Sequence, residues 1–152
     1  MNILLSFNLR VILTFLLIIL IFIALHVKYN RKNEMTVVER IGRFHRLIDS
    51  PSLFILIPFI DRVLQRIPTK PITESRRYTY QLNHEEIKKV LTIEYTVFDP
   101  KLYSYASIDP IASISDLIST AKENHFSDTE IFDQVKSYGR DLGITVLKLN
   151  LE

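Results

Sequence analysis

The chain contains no cysteine, which excludes disulfide bonds, thiol catalysis and cysteine-based metal sites. Glycine is nearly as scarce, with three residues, at positions 42, 139 and 143. None flanks a serine as in a G-x-S-x-G nucleophile elbow, and their spacing permits neither a P-loop nor a G-x-G-x-x-G turn. The histidines His26, His45, His84 and His125 stand far apart, without a partner at H-x-x-x-H spacing. His84-Glu85-Glu86 groups three metal-ligand types, but a solvated turn accounts for it. Asp128 and Glu130 read as negative charge at a helix N-terminus rather than as an acid–base pair. Catalytic, cofactor-binding and metal-ligating residues are therefore assigned to none, and no enzyme activity is expected. Internal repeats and low-complexity linkers are absent as well. Basic residues are scattered through strand-like sequence rather than gathered in an arm, so nucleic acid is not an expected partner.

Charge is missing from Val11–Val27 (VILTFLLIILIFIALHV), a run of 17 residues without Asp, Glu, Lys or Arg. As a helix it would be about 26 Å long, slightly short of the ~30 Å hydrocarbon core. Leu9 and Phe7 extend it, because the long stem of Arg10 lets its guanidinium snorkel to the headgroups. A cleaved signal peptide would have a shorter apolar core followed by small residues; here His26-Val27-Lys28-Tyr29-Asn30 follows. A buried helix of a soluble domain would need a polar face. The expectation is an uncleaved membrane helix over residues 9–27, after a short flank (1–8) and before a basic juxtamembrane linker (28–34). Lys28, Arg31 and Lys32 outweigh Arg10 across the helix. The positive-inside rule then puts the C-terminal part in the cytoplasm, as a single-pass protein.

Residues 35–152 suffice for one domain with its own core. Charge along the chain is uneven. Residues 28–77 carry eleven Lys/Arg against five Asp/Glu, a balance of +6; residues 78–152 carry seven against twelve, a balance of −5. A basic membrane-proximal half suits anionic headgroups, at about 1 kcal/mol per basic residue near the surface.

Thr36–Ile41 reads as a strand, Gly42-Arg43 as a turn and Phe44–Ile48 as the return strand. A loop at Asp49–Ser52 leads to an apolar run, Leu53–Ile57, stopped by Pro58. Extended segments follow at Arg62–Ile67 and Arg77–Leu82. In Leu91–Phe98, Leu91, Ile93, Tyr95 and Val97 alternate with Thr92, Glu94 and Thr96, the pattern of a half-buried strand. Asp99-Pro100 and Asp109-Pro110 open two helices, with aspartate as cap and proline at the first helical position. Ser127-x-x-Glu130 is a capping-box pattern opening a third, which Gly143 ends. Ile144–Leu151 is a closing strand. The fold class is α+β. The tyrosines Tyr78, Tyr80, Tyr95, Tyr103 and Tyr105 read as core and sheet packing.

Val37–Ile67 (VVERIGRFHRLIDSPSLFILIPFIDRVLQRI) resembles the opening of the SPFH, or band 7, superfamily of stomatins, prohibitins and flotillins. The resemblance rests on the E-R-x-G-R strand turn Glu39-Arg40-Ile41-Gly42-Arg43 and on the I-P-x-x-D sequence Ile57-Pro58-Phe59-Ile60-Asp61. The rest of 28–152 follows the family order more loosely, through Leu91–Pro100 and the Asp141-Leu142-Gly143-Ile144 close. The loop Ser50-Pro51-Ser52 lacks the usual family glycines, and the chain stops at Glu152 without the long helix that follows the last strand in most members.

The resemblance implies an antiparallel-rich sheet with packed helices over residues 35–152 and a non-enzymatic role. That role would be a scaffold organising or modulating membrane proteins and lipids, or an accessory regulatory subunit of a membrane protease complex; an unrecognised membrane-bound enzyme is the remaining alternative. Partners would be anionic headgroups and a membrane protein such as a protease or channel. Without the long helix, small homo- or hetero-oligomers are expected rather than rings. Family members insert peripherally near the apolar run, so Leu53, Phe54, Ile55, Leu56, Ile57, Phe59 and Ile60, with the basic residues Arg43, Arg46, Arg62 and Arg66, are the candidate membrane contacts. A fully buried strand is the competing reading of the run.

Overall fold

The computed structural model describes residues 2–82 and 84–152, with side chains from residue 9 onward. Helix α1 (Asn2–His26) comes first. None of the residues in its stretch Leu9–His26 is buried in the protein, and among the described residues it is the one helix long and apolar enough to cross a membrane. Two of its polar side chains are satisfied within the helix. The Thr14 hydroxyl donates to the Arg10 carbonyl, and the His26 ring lies 2.7 Å from the Phe22 carbonyl. A segment in lipid must satisfy its polar groups internally in this way.

The helix runs straight into β1 (Val27–Asn30), so much of the expected linker is strand. It is followed by β2 (Glu34–Arg40), β3 (Arg43–Ile48), β4 (Ser52–Ile55), β5 (Asp61–Pro68), β6 (Ile72–Leu82) and β7 (Glu85–Val97). Helices α2 (Pro100–Tyr105), α3 (Pro110–Glu123) and α4 (Asp128–Asp141) precede the last strand, β8 (Ile144–Leu151). The strands form three antiparallel groups, β1–β4, β3–β2–β5 and β6–β7–β8. The fold is therefore α+β, with one candidate transmembrane helix.

The helix starts follow from local chemistry. Asp99 and Asp109 accept from the backbone N–H groups of Leu102 and Ala112, and both halves of the Ser127/Glu130 capping box form. At the other end of α4 the chain turns at Gly143, with φ of +76°. A Cβ there would stand 2.6 Å from the Asp99 carbonyl oxygen and 2.8 Å from the Tyr103 nitrogen, so only glycine fits.

The main core lies between β6–β7–β8 and helices α3 and α4 and extends to Tyr103 of α2, Val37 of β2 and Ile67 of β5. Leu91, Ile93 and Tyr95 of β7 meet Ile111, Ile114 and Ile118 of α3, Ile131 and Val135 of α4, and Ile144 and Val146 of β8. A second, much smaller cluster joins Val38, Phe54 and Leu56, flanked by Ile48 and Val63. It sits beside the membrane helix and shapes the site described next.

Candidate membrane-contact site

The apolar run is placed by β1. Strand β4 pairs antiparallel with β1, with Ile55 opposite Val27, and the Leu56 N–H donates to the His26 carbonyl at 3.1 Å. Because β4 runs back toward α1, the chain leaves it at the level of the helix's last residue. Sequence reasoning missed this arrangement because Val27-Lys28-Tyr29-Asn30 is too short and too polar to announce a strand.

The run is neither wholly exposed nor wholly buried. Phe54 and Leu56 are both 7% exposed and belong to the small core, whereas Leu53, Ile55, Ile57 and Ile60 are exposed and Phe59 is fully so. Period-two alternation divides the two sets. Phe54 and Leu56, expected as membrane contacts, therefore face inward, and Tyr29 of β1 adds another exposed aromatic ring.

The four arginines divide similarly. Arg46 donates to the Ile55 carbonyl at 2.9 Å and lies over the Phe54 ring, so it is committed to holding β4. Arg62 pairs with Glu39 yet keeps most of its side chain in solvent, and Arg66 lies 3.9 Å from Glu34. Arg43 is exposed and forms no ion pair among the described residues.

Two polar locks fix this apolar surface. The first is Asn30, fully buried, whose amide donates to the carbonyls of Glu34, Ile48 and Ser50 while its oxygen accepts from Thr36 at 2.6 Å. It ties β1 to β2 and to the loop before β4. The second joins the two sequence motifs, since β2 and β5 set Glu39 opposite Arg62 and Arg40 opposite Asp61. Arg40 grips Asp61 through two hydrogen bonds, of 2.7 and 3.1 Å, and Asp61 also accepts from the Ile57 N–H at 3.0 Å. The Arg40 hydrogen bonds hold the Asp61 carboxyl down at about 2, against the opposing effect of burial. The hydrogen bond from Arg62 likewise lowers Glu39, which accepts from the Tyr105 hydroxyl at 2.8 Å as well. These four charged residues are thus structural clamps on two turns, Ile41-Gly42 and Ile57–Ile60. The turns touch through the Ile41 N–H, which donates to the Ile60 carbonyl at 3.0 Å.

Among the described residues, no group of three His, Asp or Glu side chains has a metal-binding arrangement. The chemistry this surface offers is adhesion: exposed aliphatic and aromatic side chains, a free guanidinium and an adjoining membrane helix.

No family model matches the chain. Curated relatives do. The mitochondrial stomatin-like protein 2 of Homo sapiens is 32% identical over 91 residues, 59% of this chain and 25% of the relative. The Bos taurus protein gives the same figures, and that of Mus musculus is 31% identical over 91 residues. These matches support a relationship to the SPFH/band 7 superfamily. It spans about a quarter of the length of the curated relatives it matches. The relationship supports a membrane-associated protein of the stomatin-like scaffold type, and α1 fits a membrane location.

Proposed function

We propose that this chain is a single-pass, stomatin/prohibitin-like scaffold that organises or modulates membrane proteins and lipids. Its domain, residues 35–152 with β1 paired onto it, lies on the cytoplasmic face. The observation that carries this reading is the β1–β4 ladder beginning where α1 ends. That ladder leaves no spacer between α1 and the domain, which supports a domain held at the bilayer surface, with Leu53, Ile55 and Ile57 exposed beside the helix end. Arg43 and Arg62 give this surface a preference for anionic headgroups. Small homo- or hetero-oligomers are the working assembly.

Cross-linking of the full chain in its own membrane, followed by identification of what co-purifies, tests the role. Self-contacts and lipid are expected; a single dominant protease would replace the scaffold with the accessory-subunit reading. Protease added to intact cells or spheroplasts tests the topology. The domain should survive until lysis, because Lys28, Arg31 and Lys32 follow the helix; digestion before lysis would reverse the orientation.

A further inference from the structure

The sheet β6–β7–β8 has two outer strands, and their edges are not alike. On β6 the Glu123 carboxylate, at the end of α3, accepts from the outward Gln81 N–H at 3.1 Å. On β8 Glu152 exchanges both backbone hydrogen bonds with Val90, at 3.0 and 2.7 Å. Antiparallel ladders alternate, so Leu151 and Leu149, opposite Leu91 and Ile93, turn their N–H and C=O groups away from β7. Such groups are a template for another strand, which a lysine often guards. Here Lys148 lies 3.3 Å from Glu94 across the sheet. The same two leucines line a groove of about 450 Å³. Helix α4 and β8 touch closely at one end, where a Cβ on Gly139 would stand 3.2 Å from the Ile144 and Val146 side chains. Toward the other end they part, with Asp128, Phe132 and Asp133 on one wall and Leu149 and Leu151 on the other. Phe132 and both leucines are partly buried against the main core and give the groove an apolar floor. Its rim is acidic. Asp128 is shared with Lys122, whereas Asp133 is exposed and forms no ion pair among the described residues.

We infer that the β8 edge and this groove take an extended, basic segment of a partner protein, which adds to the sheet as a fourth strand. Main-chain hydrogen bonds to Leu149 and Leu151 supply the adhesion, and the groove supplies the selectivity. Residues of the segment opposite the two leucines point to the same face as they do, into the groove. An arginine there lays its stem along Phe132 and brings its guanidinium to Asp133. Residues between them project to the other face, where β7 and β8 carry Thr92, Thr96, Thr145 and Asn150. A second copy of this chain is the wrong occupant. Pairing β8 with β8 would bring Asp128 and Asp133 of both copies together, in a region, residues 78–152, that already carries seven Lys/Arg against twelve Asp/Glu. The inference goes beyond the scaffold reading and does not depend on it, since it uses none of the membrane-contact residues.

The probe is a fluorescein-labelled peptide, Thr-Arg-Thr-Val-Thr-Arg-Thr, which as a strand puts arginine, valine and arginine on one face. Titration with the full chain in neutral detergent at low salt should give a saturable rise in anisotropy that weakens as salt is added. Amide exchange at Leu149 and Leu151 should slow when the peptide is present. Methylating the peptide nitrogens of the valine and the two arginines should abolish binding, because those N–H groups face β8; methylating the threonines between them should not. Asp133→Arg should weaken binding about fivefold or more while leaving the melting temperature unchanged. Equal binding by a peptide with glutamate in place of both arginines, or by the form methylated on valine and arginine, overturns the proposal. So does unchanged affinity for Asp133→Arg, or no binding at millimolar peptide. Protection of Leu149 and Leu151 that rises with the concentration of the chain alone would assign the edge to a second copy, and would overturn the basic partner.

Discussion

The two halves of the domain solve the same problem with different means. The far half, β6–β7–β8 with α3 and α4, buries a continuous core in which Leu91, Ile93, Tyr95, Ile114, Ile118, Ile131, Val135 and Ile144 are fully enclosed. The near half, β1–β4 and β3–β2–β5, has three buried residues in its own cluster and holds its shape with a buried asparagine and two clamped ion pairs. It also leaves Tyr29, Ile41, Leu53, Ile55 and Phe59 exposed. The near half also lends Val37 and Ile67 to the main core, and polar locks keep its outer strands in place while their apolar side chains point outward.

Core truncation in the far half should have the largest effect. Ile93→Ala should cost about 2–5 kcal/mol, by the transfer and cavity terms of a fully enclosed side chain. Thermal unfolding of the detergent-solubilised chain measures it; a loss comparable to that of a surface change would show that the far half is not the stability-bearing one.

Asn30→Ala should come next, at about 1–3 kcal/mol, because it removes the amide bonded to the Glu34, Ile48 and Ser50 carbonyls and leaves the buried Thr36 hydroxyl without its acceptor. The loss should be local. Amide exchange should rise in β1 and β4 and stay protected in β7, and uniform opening would erase the distinction between the halves. For the same reason a fragment starting at residue 34 should lose the lock and be a poor test of membrane affinity.

The Arg40–Asp61 clamp gives a pH signature. Asp61 titrates at about 2 in the folded chain, whereas an unfolded aspartate titrates near ~3.9. A depressed carboxylate pKa contributes stability that is complete above the unfolded value and is lost as pH falls from about 4 toward 2. Asp61→Asn should lower stability at neutral pH and flatten this acid limb. An unchanged limb would mean that other carboxylates set the acid response.

The smallest effect on stability is expected for Phe59→Ser, within about 0.5 kcal/mol, since the ring touches nothing. A substantial loss of melting temperature in detergent would mean that Phe59 packs, and would blur the contrast between a sealed far half and an open near half.

Much of this was legible in the sequence, for reasons tied to particular residues. The uncharged run before Lys28 specified α1, because insertion depends on composition and length alone. Asp99-Pro100, Asp109-Pro110 and Ser127-x-x-Glu130 specified the helix starts, because a cap acts within three or four residues of itself. The alternation from Leu91 to Val97 marked the buried face of β7, because successive side chains in a strand point to opposite sides. The same rule applied to Leu53–Ile57 carried no information, since apolar residues occupy both faces there.

What tertiary structure alone decided is where those two faces go. Phe54 and Leu56 turned inward because β4 pairs with β1, and that pairing is a long-range choice made by the buried Asn30 and by the chain's exit from the helix. The sequence pattern puts the turn at Gly42-Arg43; pairing of Arg40 with Arg43 moves it to Ile41-Gly42, and its contact with the Phe59 turn is made by hydrogen bonds between residues some twenty positions apart. Local chemistry fixes segments one at a time; contacts between distant segments set the register and exposure of an ambiguous strand, and with them which apolar side chains are left bare beside α1.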